Sequence, residues 1–395
     1  MSTERVGDAP GGATGFRVEV ARTLEELEAL RPVWDELPWR REEAVYEFFV
    51  TRLRTRPDVI GPYVAMLTDG GAPVGGLAGR IEWRRLQTAL GYRVVYAPRV
   101  RLLQIVDSGV VAQTAPALAE LARLVDQTLR SGEVDAVAFP PFALGSELEA
   151  AFGWLGGFLG HQPLIAPWTR RRLILPDGFD EFMASRSHKT RKGVRRDARK
   201  LEGTYGDRLS VEILRTPGDL ERLVHDSDRV AGSTYQRRLG VGFADTAEQR
   251  AVARIGLEHG WVRGYLLYLD SEPVAYWLCT VFGDTMVLKN GGFDETYASY
   301  RTGIYLLMRV IEDACRDPEL RVLDFGPGDA AYKQQFSNES HAERNLVLFA
   351  PTFRARRING ARTAILGPAR LAREALDAAR LTDRVRSGWR GRRSL

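Results

Sequence analysis

Cysteine is scarce in this 395-residue chain: Cys279 and Cys315 both lie in apolar stretches and have no metal-ligand spacing. That argues against a disulfide framework or a thiolate metal centre and predicts buried free thiols in a reducing compartment. The five histidines, His161, His188, His225, His259 and His341, are scattered without His-x-x-x-His pairing, so no metal is expected. No apolar run approaches the roughly 20 residues that span a bilayer, and nothing after Met1 joins a basic n-region to an apolar h-region. The expected location is cytoplasmic. No Ser-His-Asp or Cys-His arrangement can be justified either, so chemistry at this chain is expected to proceed without a covalent enzyme intermediate.

What is present is enough apolar sequence, 44% of residues, to fill two cores of about 150 to 200 residues each. Charge is uneven. Residues 354–395 carry twelve arginines against Glu374, Asp377 and Asp383, a net +9 that leaves −4 on residues 1–353 out of the overall +5. Within this tail Leu371, Ala375, Leu376 and Ala379 fall near helical spacing among arginines. The pattern reads either as a solvated helix packing on its own domain or as a peripheral membrane contact with anionic lipid. A second basic run, "KTRKGVRRDARK" from Lys189 to Lys200, holds seven basic residues and one acid. Val194, Ala198 and Leu201 give it an apolar stripe, so it reads as a packed surface helix. Its basic face is either solvated or attracts an anionic donor or acceptor. No DNA-reading module is evident.

The chain repeats itself. "VEVARTLEELEAL", Val18 to Leu30, and "VEILRTPGDLERL", Val211 to Leu223, share a strand and a capped helix at an offset of 193. Thr23 with Glu26 is a capping box, and Thr216 is followed by Pro217 and Asp219. Each copy continues with two strands around a polar turn, with Pro73-Val74 matching Pro273-Val274, then a helix of i, i+3, i+4, i+7 periodicity (Thr114–Arg130 and Gly303–Cys315), then a short buried strand, "VDAVAF" or "RVLDF". The organisation expected is a disordered segment over 1–15, one α/β unit over 16–165, a second over 166–353, and a basic helical tail over 354–395.

This order of elements resembles the GNAT acyltransferase fold. The second half resembles the Fem-like and cellulose-biosynthesis-like acetyltransferase branch, on the strength of "SHKTRKGVRRDARKLE", "LDSEPVAYWLCTVFGDTMVLKNGGFDETYASYRTGIYLLMRVIEDA" and "LDFGPGDAAYKQQF". The resemblance implies an α/β (α+β) protein of two tandem GNAT-like domains, each a mixed twisted sheet flanked by helices, the first degenerate and the second catalytic. It implies an N-acyltransferase that moves an acyl group from acyl-CoA to an amine of a small molecule or of a cell-envelope or polysaccharide precursor by direct attack. The alternatives are an aminoacyl-tRNA-dependent Fem-like transferase, with tRNA as partner, and a non-catalytic anion-binding protein.

Site residues follow from chemistry and resemblance together. A helix start with exposed N–H groups suits phosphate, which nominates Arg301, Thr302 and Gly303. The first copy has Pro116 there, without an N–H. Backbone groups of Lys289, Asn290 and Gly291 are expected to pair with the amide chain of the donor. Asp324 at a strand end is assigned as acceptor-positioning residue or base, Tyr332 as acid or oxyanion donor, and Lys333 as electrostatic stabiliser or phosphate contact. Ala138 stands where Asp324 would be in the first copy. For the acceptor, Asp228, Tyr235, Arg237 and Arg238 are nominated ahead of the meander, with Arg195 on the basic helix.

Overall fold

The computed structural model describes residues 15–90, 93–161, 167–234 and 242–378. The expected disordered segment lies almost wholly outside these. In chain order the first elements are β1 (Arg17–Ala21), α1 (Leu24–Ala29), α2 (Arg31–Asp35), α3 (Tyr46–Thr55), β2 (Val59–Asp69), β3 (Ala72–Arg85), β4 (Thr88–Leu90) and β5 (Arg93–Tyr96). Next come β6 (Arg99–Ala112), α4 (Ala115–Ser131), β7 (Ala136–Ala143), α5 (Glu147–Phe152), α6 (Gly157–Gly160), β8 (Trp168–Ile174), α7 (Phe179–Ala184) and α8 (His188–Tyr205). The rest are β9 (Leu209–Leu214), α9 (Leu220–Ser233), α10 (Ala247–Glu258), β10 (Val262–Leu269), β11 (Glu272–Phe282), β12 (Thr285–Phe293), α11 (Thr302–Arg316), β13 (Val322–Asp324), α12 (Ala331–Phe336), β14 (Glu339–Phe349) and α13 (Phe353–Ala378).

Local chemistry sets the helix starts. Glu26 N–H donates to Thr23 Oγ1 at 3.2 Å and Thr23 N–H to Glu26 Oε2 at 3.1 Å, the reciprocal box the sequence predicts. Asp219 accepts the Thr216 N–H at 2.9 Å in the second copy. Thr114 caps α4 through the Ala117 N–H, 3.3 Å away.

Two compact units result, and they are not the linear halves. One comprises Met1–Leu37, Asp58–Ala166 and Arg344–Leu395; the other comprises Pro38–Pro57 and Pro167–Glu343. The boundary expected at 165 falls one residue from the division at Ala166, whereas the one expected at 353 lies at Glu343 and residues 38–57 belong to the second unit. Helix α3 leaves the first copy because its apolar face, with Phe48, Phe49 and Leu53 all buried, packs on α10. The tail helix α13 instead belongs to the first unit. Its Ala355 and Ile358 join that core, and Arg362 Nη1 donates to Leu86 O at 2.8 Å and Thr88 Oγ1 at 2.9 Å. The side chains that would form its membrane-seeking stripe lie outside the described residues.

In the first unit the strands run β1-β2-β3-β6-β7 with the end of β14 beyond β7, antiparallel until β6 meets β7 in parallel at Leu102–Gln104 and Ala136–Ala138. In the second, the start of β14 is followed by β8-β13-β12-β11-β10-β9, antiparallel except for β12 beside β13, where Thr285–Val287 pair with Val322–Asp324. One face of this second sheet buries Tyr265, Cys279 and Met286 against α7, α8 and α11. The other buries Leu266, Tyr276 and Leu278 against α9 and α10. The stripe expected on the basic helix is real: Leu201 is fully buried, with Val194 and Ala198 half-buried beside the same core.

Candidate functional site

Strands β12 and β13 pair over three residues and then part. β13 ends at Asp324, whereas β12 runs on to Phe293. A bulge between Leu278 and Cys279 in the β11 register leaves Lys289 as an extra residue on β12 at the point of separation. Bulges bend a strand and free its backbone groups. Past Val287, the edge of β12 that faced β13 has no strand partner among the described residues. The exit from β13 is tight: Gly326 has φ +69°, and a Cβ there would stand 2.8 Å from the Leu288 carbonyl oxygen. A side-chain-bearing residue would be strained at that φ and would clash.

Asp324 is completely buried at this point. Arg170 Nε, from β8, donates to both its oxygens at 3.0 and 2.8 Å, and the Gly326 N–H donates to Oδ1 at 2.9 Å. Arg172 Nε is 3.5 Å away and Arg41 Nη2 is 3.7 Å away. Arg170 also donates to Glu343, 3.3 Å away, which in turn contacts His341 Nε2 at 2.9 Å. These contacts make Asp324 the anion that fixes the strand end and the arginines around it.

Lys333 lies beside this anion but aims elsewhere. Its Nζ donates to Gly326 O at 3.1 Å and Pro327 O at 2.6 Å, bracing the turn, and burial pushes its pKa down to about 8. It is 6% exposed, so the expected phosphate contact is corrected to a structural one. Tyr332 packs against Trp277 and Phe325, ring centroids 6.2 and 6.3 Å away, and burial pushes its phenol up to about 12. It is therefore protonated at neutral pH. Among the described residues no group hydrogen-bonds its hydroxyl. The Trp277 ring covers Gly291, where any Cβ would collide with it.

The helix start is less open than the sequence suggests. Thr302 is fully buried with its hydroxyl unpartnered. A Cβ on Gly303 would come within 2.9 Å of the Phe293 ring, so this glycine makes room for an aromatic side chain rather than for phosphate. Neither residue presents the anion contact expected of it. Arg301 adopts φ +54° and lies 3.5 Å from Asp197 of α8, while Lys200 donates to Ser299 O at 3.0 Å. Lys200 and Asp197 of α8 thus hold the loop that leads into α11. Arg195 stands exposed on the rim of a groove of about 510 Å³ floored by Met183, Val194, Ile304 and Met308.

On the opposite face of the sheet, Lys289 and Asn290 line a smaller cavity of about 110 Å³ together with Glu42, Thr280, Phe48 and Phe243. Lys289 Nζ is 3.1 Å from Glu42 Oε1 and 3.5 Å from Glu43 Oε1, contacts that hold its side chain. Asp228 accepts the Asp245 N–H at 3.0 Å and so ties the start of α10 to α9. Tyr235, Arg237 and Arg238 lie outside the described residues. Sequence reasoning missed Arg41, Arg170 and Glu42. The triple arginine in the "TRRRLI" strand was the available signal for the second; the other two needed the third dimension. Among the described residues no His, Cys, Asp and Glu side chains cluster as a metal site, and no helix is long and apolar enough to cross a membrane.

Residues 188–334 match the family model described as an acetyltransferase (GNAT) domain. No curated protein shows a significant match to the sequence. Among solved structures, the crystal structure of FemX is similar with a TM-score of 0.54 and 12% identity, over 82% of this chain and 95% of that one. L-PGS from Bacillus licheniformis gives 0.48 and 11%, over 85% and 96%. A tandem GNAT protein from the clavulanic acid biosynthesis pathway gives 0.46 and 12%, over 85% and 99%. The likeness to FemX is one of fold, and it coincides with the family match across the parted strands of the second unit. The chain thus has a fold similar to that of FemX, and residues 188–334 of its second unit match an acetyltransferase (GNAT) domain.

Proposed function

We propose that the chain transfers an acyl group from acyl-CoA to the amine of a small molecule or envelope precursor, with the donor's acyl end at the parting of β12 and β13. The observation that carries this reading is the unpaired backbone edge of β12 beyond its bulge, bordered by the Tyr332 phenol. A thioester carrier brings an amide-bearing arm and an activated carbonyl. Backbone groups on that edge of β12, near Lys289, Asn290 and Gly291, would pair with such an arm. The amine attacks the carbonyl, the C–N bond forms and the C–S bond breaks, Tyr332 gives its proton to the departing thiolate, and the proton lost by the amine nitrogen returns to the Tyr332 phenolate. Arg170, Arg172 and Arg41 exceed Asp324 and Glu343 by one charge, and that excess favours the oxyanion formed on the way.

Thermal melting with acetyl-CoA tests the donor. A ligand at about 100 times its dissociation constant adds roughly 2.7 kcal/mol, so no shift at millimolar acetyl-CoA rejects it. A second reading, transfer from aminoacyl-tRNA, is favoured by the exposed cations of α8 and by the closed start of α11, which has no glycine-lined phosphate cradle. It predicts RNase-sensitive activity that is lost when Lys192, Arg195, Arg196 and Arg199 are neutralised.

A further inference from the structure

The 110 Å³ cavity has chemistry of its own. Glu42 is 1% exposed, and neither carboxylate oxygen accepts a hydrogen bond, although Lys289 Nζ lies 3.1 Å from one of them. Thr280, 7% exposed, lines the same space with its hydroxyl unpartnered. Buried oxygens of this kind cost stability unless something donates to them. Lys289 lies between Glu42 and Glu43, and Arg52 lies 3.9 Å from Glu43 and 2.6 Å from Glu248. Phe48, Phe243 and Leu278 supply apolar wall. The volume is about four waters' worth at ~30 Å³ each, room for a group of about five heavy atoms but not for a sugar or nucleotide.

We propose that this cavity receives a primary ammonium on a short alkyl arm of the acyl acceptor, with Glu42 as its anionic partner and Thr280 as a further acceptor. An ammonium has three donors and no acceptor, which matches three oxygens lacking a donor. The inference rests on the acyl-transfer reading for the arm's purpose but not for its binding. Glu42 comes from the Pro38–Pro57 segment, so this segment of the first copy's sequence completes the acceptor pocket of the catalytic unit.

The test is calorimetric titration of the full-length protein with n-butylammonium, with 1-butanol as neutral counterpart, and with coenzyme A in parallel. Butylammonium is expected to bind at least ten-fold tighter than butanol and to lose ten-fold or more on Glu42→Gln, with coenzyme A affinity unchanged. Thr280→Val, a change of nearly constant shape, is expected to weaken butylammonium about three-fold and serves if the first variant does not fold. Equal affinity for the two probes, or butylammonium binding indifferent to both substitutions, overturns the inference. Failure of coenzyme A alone removes the donor assignment and leaves the amine result standing.

Discussion

The two copies of the α/β unit keep one register and fill it differently. β6 pairs with β7 at Gln104 and Ala138 where β12 pairs with β13 at Val287 and Asp324. In the first unit the Gln104 amide donates to Ile105 O at 2.9 Å and Ala138 O at 3.3 Å, and the strand beyond is packed with Phe139, Phe142 and Phe152, ring centroids 4.7 to 6.4 Å apart. In the second unit the same place holds a buried carboxylate, three arginines, and a phenol whose hydroxyl has no hydrogen-bond partner among the described residues. A scaffold that parts two strands creates a gap either way. Rings and an amide make one gap core; buried charges and a phenol occupy the other.

Substitutions at the matched positions should behave as opposites. Asp324→Ala leaves Arg170 and its neighbours without their anion and is expected to cost about 3 to 5 kcal/mol, read by urea unfolding. Ala138→Asp buries a carboxylate with no arginine to meet it and should also destabilise; if it is tolerated, the two gaps are less different than the contacts suggest. Tyr332→Phe should leave folding intact and lower kcat about 100-fold, with the loss greatest where departure of the thiolate limits the rate. A first-unit change, Thr114→Ala, removes a cap and is expected to cost about 1 kcal/mol while leaving kcat where it was.

The smallest effect concerns pH. Lys333 is held near pKa 8 by burial, below its ordinary 10.5. Between these values the unfolded chain binds a proton that the folded chain does not, so this residue's contribution to stability rises with pH across that window and is flat below it. The stability of the wild type relative to Lys333→Met should accordingly improve from pH 8 to 10.5, measured by chemical denaturation at each pH.

Much of this architecture was legible in the sequence because it is written locally. Caps at Thr23 and Thr114, the period of the α4 and α11 faces and the repeat itself depend on residues a few positions apart. Even the equivalence of Ala138 and Asp324 survived, since a repeat preserves register. What was not legible depends on partners far along the chain. That α3 pairs with α10, that Arg170 reaches across β8 to Asp324, and that Phe293 claims the space over Gly303 all follow from packing, which no local pattern encodes. Lys333 was expected at the mouth of the site, and the two carbonyls of its own turn captured it instead.

The most direct test of the division between the units is hydrogen–deuterium exchange with and without acetyl-CoA. The account predicts slowed exchange over Met286–Phe293 and Val322–Tyr332, with Leu102–Ile105 and Ala136–Phe142 unchanged. Protection confined to the first unit's strands, or protection nowhere under saturating acetyl-CoA, would contradict it.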